Sequence, residues 1–366
     1  MSAAPATLDL DDVDGLIAAD RDGLLRAASM AGAQTRAVAA ALSEGELDDL
    51  RSDQRPRAVT WVCGSGASGA PGAAGTVLAA TLGSTLSIPL VVSPEVPPWI
   101  GALDVVVVAG DDPADPALVA AVATGVRRGA RVIVVAPNEG PLRDAAAGRA
   151  VVLPPRLTVP DDFGLTRYLA AGLATLMVVD PALRIDLDAL ADELDAEALR
   201  NSAAREIFTN PAKNLAERMS GRQVVLAGEG AAMLALVRHA ATVLLRVAHQ
   251  LVAAAGGADA LVALHGGLGR QTGAEMAYET SLFHDPEIDG PVPARVRTVV
   301  LCADEERPGV IARMDALGGL GDVDVLSADD VPDAGLQVPG SRLEQQIAML
   351  AVRLEMTAVY LKLVRG

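Results

Sequence analysis

Gly64, Gly66, Gly69, Gly72 and Gly75 fall within one short stretch, with Ser65 and Ser68 among them. Glycine lets the main chain take positive φ and lets an anion come close to backbone N–H groups. The stretch follows Ala58–Cys63, an apolar, β-branched run that reads as a buried strand. It precedes Thr76–Leu82, which reads as a helix. A strand, a glycine turn and a helix N-terminus together offer N–H donors and a positive dipole end to an anion. Three readings of the turn stand side by side. Gly64-Ser65-Gly66-Ala67-Ser68-Gly69 fits the G-x-G-x-x-G dinucleotide fingerprint. That reading wants an acid at the end of the next strand, and the nearest is Glu95, beyond Ser93-Pro94. The second reading is a sugar-phosphate loop in which Ser65 and Ser68 add hydroxyls to the backbone donors. The third is a tight turn with no ligand.

The elements that must position this turn are those of a large apolar chain. At 366 residues there is length for two domains, and 51% hydrophobic content with 2% aromatics makes the core one of Val, Leu, Ile and Ala. A net charge of −17 excludes a general nucleic-acid or anionic-membrane surface. Any anionic ligand must be held by local donors against that field. Cys63 and Cys302 each end a predicted strand and suit a reducing compartment, and no His/Cys cluster suggests a metal. The first residues lack the pattern of a signal peptide, and no long uninterrupted apolar run suggests a membrane span. The expected location is cytoplasmic.

Residues 8–49 read as helical. After the glycine turn come a strand at Ile88–Val92, all-apolar strands at Leu103–Ala109 and Ala130–Ala136, and a short strand at Ala150–Leu153. Helices lie between them, and Phe163–Val179 is a long apolar helix. This alternation predicts a doubly wound parallel sheet. Ligands in such sheets sit beyond the carboxyl ends of strands, here the loops 64–72, 109–115 and 136–140. Asp186–Arg205 reads as an acidic linker helix with a solvated face. Asn210-Pro211 opens a further helix, and the pattern repeats. It runs through a strand at Gln223–Ala227, a Gly228-Glu229-Gly230 turn, a long helix at Ala231–Ala255, a loop-rich insert at 256–295 and a strand at Arg297–Cys302. Ser341 and Glu344 form a capping box for the last helix. The division is a first α/β domain at 1–182, a linker helix at 183–209 and a second α/β domain at 210–366.

Asn210-Pro-Ala-Lys213-Asn-Leu-Ala216 followed by Gly221-Arg222 and a strand resembles the opening of the second domain of bifunctional phosphoglucose/phosphomannose isomerases, members of the sugar isomerase (SIS) superfamily. The turn at Gly64–Gly72 is similar to that family's Gly-Met-Gly-Gly-Ser-Gly loop, with Ser68 on its serine. Pro155-Arg156 resembles its Pro-Arg, whose arginine faces the substrate. His284-Asp-Pro-Glu287-Ile-Asp-Gly290 resembles its His-Asn-Glu-x-x-Gly with one inserted residue, and Ala358-Val-Tyr360-Leu361 resembles its last helix. The resemblance spans nearly the whole chain. It implies an α/β fold of two SIS-type doubly wound parallel-sheet domains, each three layers deep. It also implies a homodimer, a small-molecule sugar phosphate such as glucose 6-phosphate or mannose 6-phosphate, no cofactor and no metal. On this reading His284 and Arg156 are catalytic, and Gly64, Ser65, Gly66, Ser68 and Gly69 bind substrate.

The sequence also departs from the family. Its Ser-x-Ser-Gly-Asn-Thr-Glu phosphate loop is replaced by Ala109-Gly110-Asp111-Asp112-Pro113-Ala114-Asp115. A carboxylate beside a phosphate dianion repels it by about 1 kcal/mol or more per pair even when well solvated. The catalytic glutamate of the helix after the second glycine turn falls, by counting, at Ala253, and the family's lysine-bearing tail is not found beyond Lys362. Aldose–ketose isomerisation needs a phosphate cradle, a ring opener, a base for the C2 proton and a cation for the enediolate. His284 has the pKa range for ring opening and Arg156 the donor fork for the enediolate. Glu275, Glu279 or Glu287 would have to stand in as the base. Two function classes follow: an active sugar-phosphate isomerase, and a non-catalytic carbohydrate-derivative binding or regulatory protein of the same fold. A nucleotide-binding α/β protein is the third.

Overall fold

The unbroken apolar runs are strands covered on both faces, and they order the rest of the chain. The computed structural model describes residues 8–64, 69–268, 296–315, 322–329 and 342–365. The first sheet is formed by β1 (Val59–Val62), β2 (Leu90–Ser93), β3 (Val105–Ala109), β4 (Arg131–Val135) and β5 (Val151–Val152). All neighbours are parallel, in the order β2-β1-β3-β4-β5. The second is formed by β6 (Gln223–Gly228), β7 (Val252–Gly256), β8 (Val296–Leu301) and β9 (Val323–Leu326), also parallel, in the order β7-β6-β8-β9. The strand order reverses between β1 and β3, and again between β6 and β8. These are the switch points at which α/β sheets open a crevice. The expected two-sheet α/β architecture is what the chain adopts.

Helices cover both faces of each sheet. On the first sheet α5 (Pro116–Arg127) and α6 (Gly140–Ala146) lie outside, over Val106, Val108, Val132 and Val134. On the second, α11 (Gly257–His265) and α12 (Arg307–Asp315) lie outside, over Ala227, Val300 and Cys302. Between the sheets runs one continuous apolar layer. It takes in Trp61, Val107 and Ile133 from the first sheet and Leu226, Val299 and Leu301 from the second. Its helices include α3 (Ala31–Ser43), α4 (Ala70–Leu82), α7 (Leu165–Val179), α8 (Leu187–Arg200), α10 (Gly230–Ala248) and α13 (Leu343–Arg365). α10 is long and apolar enough to cross a bilayer by length and composition, which the sequence reading passed over. Here 61% of that window is buried in the protein, packed on α4, β6, β7 and α13.

Several local readings are corrected. The helical stretch expected over 8–49 is broken into α1 (Val13–Ala19), α2 (Leu24–Ala28) and α3. Gly23 takes φ 67°, and the Asp20 carboxylate accepts from Leu24 N–H and Leu25 N–H at 2.8 and 2.9 Å, so the chain stops and restarts. α8 keeps Asp188 and Asp192 exposed but buries Leu187, Leu190, Leu194 and Glu197 against α3 and α13. The helix expected to run to Ala255 ends at Ala248, because His249 turns left-handed at φ 52°. Ala253 is therefore in strand β7, paired with Val225. The position counted as the missing glutamate is not on the helix at all. The helix itself, α10, contains no Asp or Glu.

Candidate functional site

The glycine-rich stretch divides into a turn and a helix. Among the described glycines of this stretch only Gly64 takes positive φ, at 59°, and a Cβ there would stand 2.9 Å from Asp115 Oδ2. Helix α4 already begins at Ala70, with Gly69 as an extended N-cap that has no side chain to offer the first-turn N–H groups and Pro71 in its first turn. Gly72 and Gly75 are inside the helix. A Cβ on Gly75 would overlap the indole of Trp61, whose Nε1 donates to Pro71 O at 2.9 Å. That glycine serves close helix–sheet packing, not a ligand. Ser65, Gly66 and Ser68 lie outside the described residues, as do His284, Glu275, Glu279 and Glu287.

The neighbouring loop, at the end of β3, is closed to anions by its own carboxylates. Asp115 caps α5, its Oδ1 accepting from Ala117 N–H at 2.7 Å. Asp112 accepts from Ala114 N–H at 2.8 Å. Asp111 turns inward, accepting from Arg167 Nη2 at 2.9 Å and from the Tyr168 hydroxyl. The Arg167 guanidinium in turn lies 4.1 Å from the Tyr168 ring centroid. Burial pushes the Asp111 carboxyl up, against the opposing pull of the Tyr168 hydroxyl and of Arg167. Of the two helix N-termini that meet at the switch point, α4 has no side-chain cap and α5 is filled.

The second half of the chain reaches this rim through α10. Arg246 Nε is 3.0 Å from Asp162 Oδ1, on the turn that leads into α7. Burial raises the Asp162 carboxyl and Arg246 opposes it. Deeper between the halves, His239 Nε2 on α10 and Glu355 Oε1 on α13 stand 3.2 Å apart, both buried. Burial pushes the Glu355 carboxyl up, opposed by His239. Sequence reading singled out none of Asp162, Tyr168, Arg167, Arg246 or Glu355. The signal that was present is the polar character of a few positions on otherwise apolar helices.

Arg156 follows β5, at the carboxyl edge of the same sheet. It is held there by Glu44 and Glu46 at the end of α3, the latter at 2.7 Å. These hydrogen bonds push the guanidinium further up and hold the Glu44 carboxyl down. β3 and β4 separate β5 from β1, so three strand spacings, about 14 Å, lie between the two strands that Arg156 and Gly64 follow. Arg156 lines a narrow crevice with Arg167 and Gln34. Gly64 and Arg156 thus each follow the carboxyl end of a strand of the first sheet, and Arg156 is there a neutralised cation. The Asn210–Ala216 motif is structural: Asn210 caps α9 (Pro211–Met219) by accepting from Lys213 N–H at 2.9 Å. The Lys213 ammonium donates to Ala203 O and Arg205 O at 2.8 and 2.7 Å.

Two parallel sheets with one helical layer between them and paired switch points decide the architecture. The chain has the sugar-isomerase fold. The SIS-fold structure of tagatose-6-phosphate ketose/aldose isomerase from Escherichia coli superposes over 99% of this chain and 94% of its own, at 15% identity and a TM-score of 0.57. A glucose-6-phosphate isomerase-like protein from Thermus thermophilus matches over 98% and 96%, at 18% identity and a TM-score of 0.52. The C-terminal domain of glucosamine-fructose-6-phosphate aminotransferase from Francisella tularensis matches over 95% and 98%, at 10% identity and a TM-score of 0.57. No protein-family model matches the sequence, and no curated protein matches it.

Proposed function

We propose that this SIS-fold chain is a non-catalytic carbohydrate-derivative binding protein whose ligand lies over the Gly64–Gly69 turn, against the N-terminus of α4. The observation that carries the reading is the Asp115 carboxylate on Ala117 N–H at 2.7 Å. It occupies the Ala117 N–H that a phosphate would meet at the start of α5, and Asp111 and Asp112 add two more carboxylates on the same loop. The absence of any acid on α10 agrees, since the resemblance to phosphoglucose/phosphomannose isomerases implies a glutamate on that helix. The uncapped α4 terminus supports binding at the turn, because free first-turn N–H groups attract electronegative atoms.

The second reading is a hexose-6-phosphate isomerase, acting as a homodimer with His284 as ring opener and Arg156 as the cation. Fold likeness to phosphosugar isomerases favours it, and so does the Gly64 turn. One experiment separates the two. Coupled assays with fructose 6-phosphate and mannose 6-phosphate are run on the wild type and His284→Ala, beside thermal shifts with the same sugars and with unphosphorylated glucose and fructose. A raised melting point without turnover supports the first reading, because a ligand that binds only the native state stabilises it. Turnover that His284→Ala abolishes establishes the second and removes the first.

A further inference from the structure

A cavity lies away from the first-sheet rim. It holds about 630 Å³ between α8, α9, the edge strand β9 and the start of α12. That is the size of a small-molecule site. Arginines converge on it from four segments: Arg200 from the end of α8, Arg205 from the following turn, Arg218 from α9 and Arg307 from α12. Among the described residues that line it, the one acid is Asp324.

The guanidinium groups are not all spent. Arg218 pairs with Asp324, and Arg200 gives Nε and Nη2 to Glu197. Arg307 Nε is shielded from solvent with no hydrogen-bond partner, and the Arg205 side chain makes no ion pair among the described residues. In a chain of net charge −17 this is a local excess of cation, and an arginine fork matches phosphate oxygens in pairs. The first turn of α12 borders the same space, adding a positive dipole end. At the lip stands Phe208, 89% exposed, one of only three phenylalanines in the sequence, beside Leu199 at 65%. An exposed ring next to arginines is a platform for a flat ring on a phosphate ester.

We propose that this cavity is a second ligand site, taking a nucleoside phosphate with its phosphates on Arg205 and Arg307 and its base on Phe208. The site is separate from the glycine turn and does not depend on the function proposed for it. Calorimetric titration of the full chain with ADP at low salt, with inorganic phosphate in parallel, tests it. Saturable ADP binding is expected, weakened about tenfold or more by Arg205→Gln, which removes a charged donor set. Phe208→Ala should weaken ADP about fivefold and leave inorganic phosphate unchanged. Both side chains are exposed, so the variants should fold; unchanged melting points without ligand check this. Arg143→Gln, on the far side of the first sheet, should bind as the wild type does. No saturable ADP binding overturns the site, as does binding insensitive to both Arg205→Gln and Phe208→Ala. Binding that responds to Arg205→Gln but not to Phe208→Ala overturns the nucleoside assignment.

Discussion

The rim of the first sheet and the cavity beside β9 solve opposite electrostatic problems with the same kind of scaffold. At the rim, Asp111, Asp112 and Asp115 are consumed by N–H groups, a hydroxyl and Arg167, so the N-terminus of α5 carries its own carboxylate cap. At the cavity, arginines outnumber acids, and two of them keep donors uncommitted. A helix N-terminus therefore says little about binding by itself. What matters is whether the chain supplies its own anion.

The comparison can be broken most forcefully behind the cavity. Arg200 is anchored on Glu197, which also receives Arg353 Nε at 2.8 Å, with both partners fully buried. Glu197→Gln removes the buried carboxylate charge that faces the Arg353 and Arg200 guanidinium groups, and should cost about 3–5 kcal/mol, read by urea denaturation. A loss under 1 kcal/mol would mean that the cavity wall stands without the pair. Next in size is Gly75→Ala at the rim. The added methyl meets Trp61, and overpacking of this kind costs about 1–3 kcal/mol by thermal or urea unfolding. An unchanged midpoint would mean that close packing against Trp61 does not require a glycine at this position.

Asp115→Ala removes the α5 cap and should cost about 1 kcal/mol. It also reopens the N–H groups there, so the melting-point rise with glucose 6-phosphate should exceed that of the wild type. An equal rise would show that the carboxylate was not what excluded phosphate. The smallest effect is Asp111→Asn, seen as a pH slope. Burial raises the folded carboxyl above its ordinary 3.8, so the folded state holds the proton more tightly than the unfolded chain. The wild-type contribution is complete below that ordinary value and is lost as pH rises through the folded one. Stability of Asp111→Asn relative to wild type should therefore climb across that window, read by urea midpoints from pH 4 upward. A falling difference would mean that Arg167 and the Tyr168 hydroxyl outweigh burial.

Strand positions were legible because Val105–Ala109 and Arg131–Val135 are too apolar to be anything but buried. Helix ends were less so. His249 ends α10 by entering a left-handed conformation that is uncommon for a non-glycine residue, and the Ala-rich residues after it have helical propensity but pair as strand β7. The candidate site was legible at Gly64 and Gly69 and in the acidic replacement at 109–115. It was not legible at Arg156, whose partners Glu44 and Glu46 are more than a hundred residues away in sequence.

By itself, the order of residues determined two parallel sheets, their switch points and the loss of hydroxyl donors after β3, because hydrophobic period and residue chemistry are local properties. Tertiary structure alone decided which charges are free. An arginine is a binding group or a strut according to what folds beside it, and Coulomb energy depends on separation and burial in space, not on distance along the chain. That is why Arg156 is occupied and Arg205 is not.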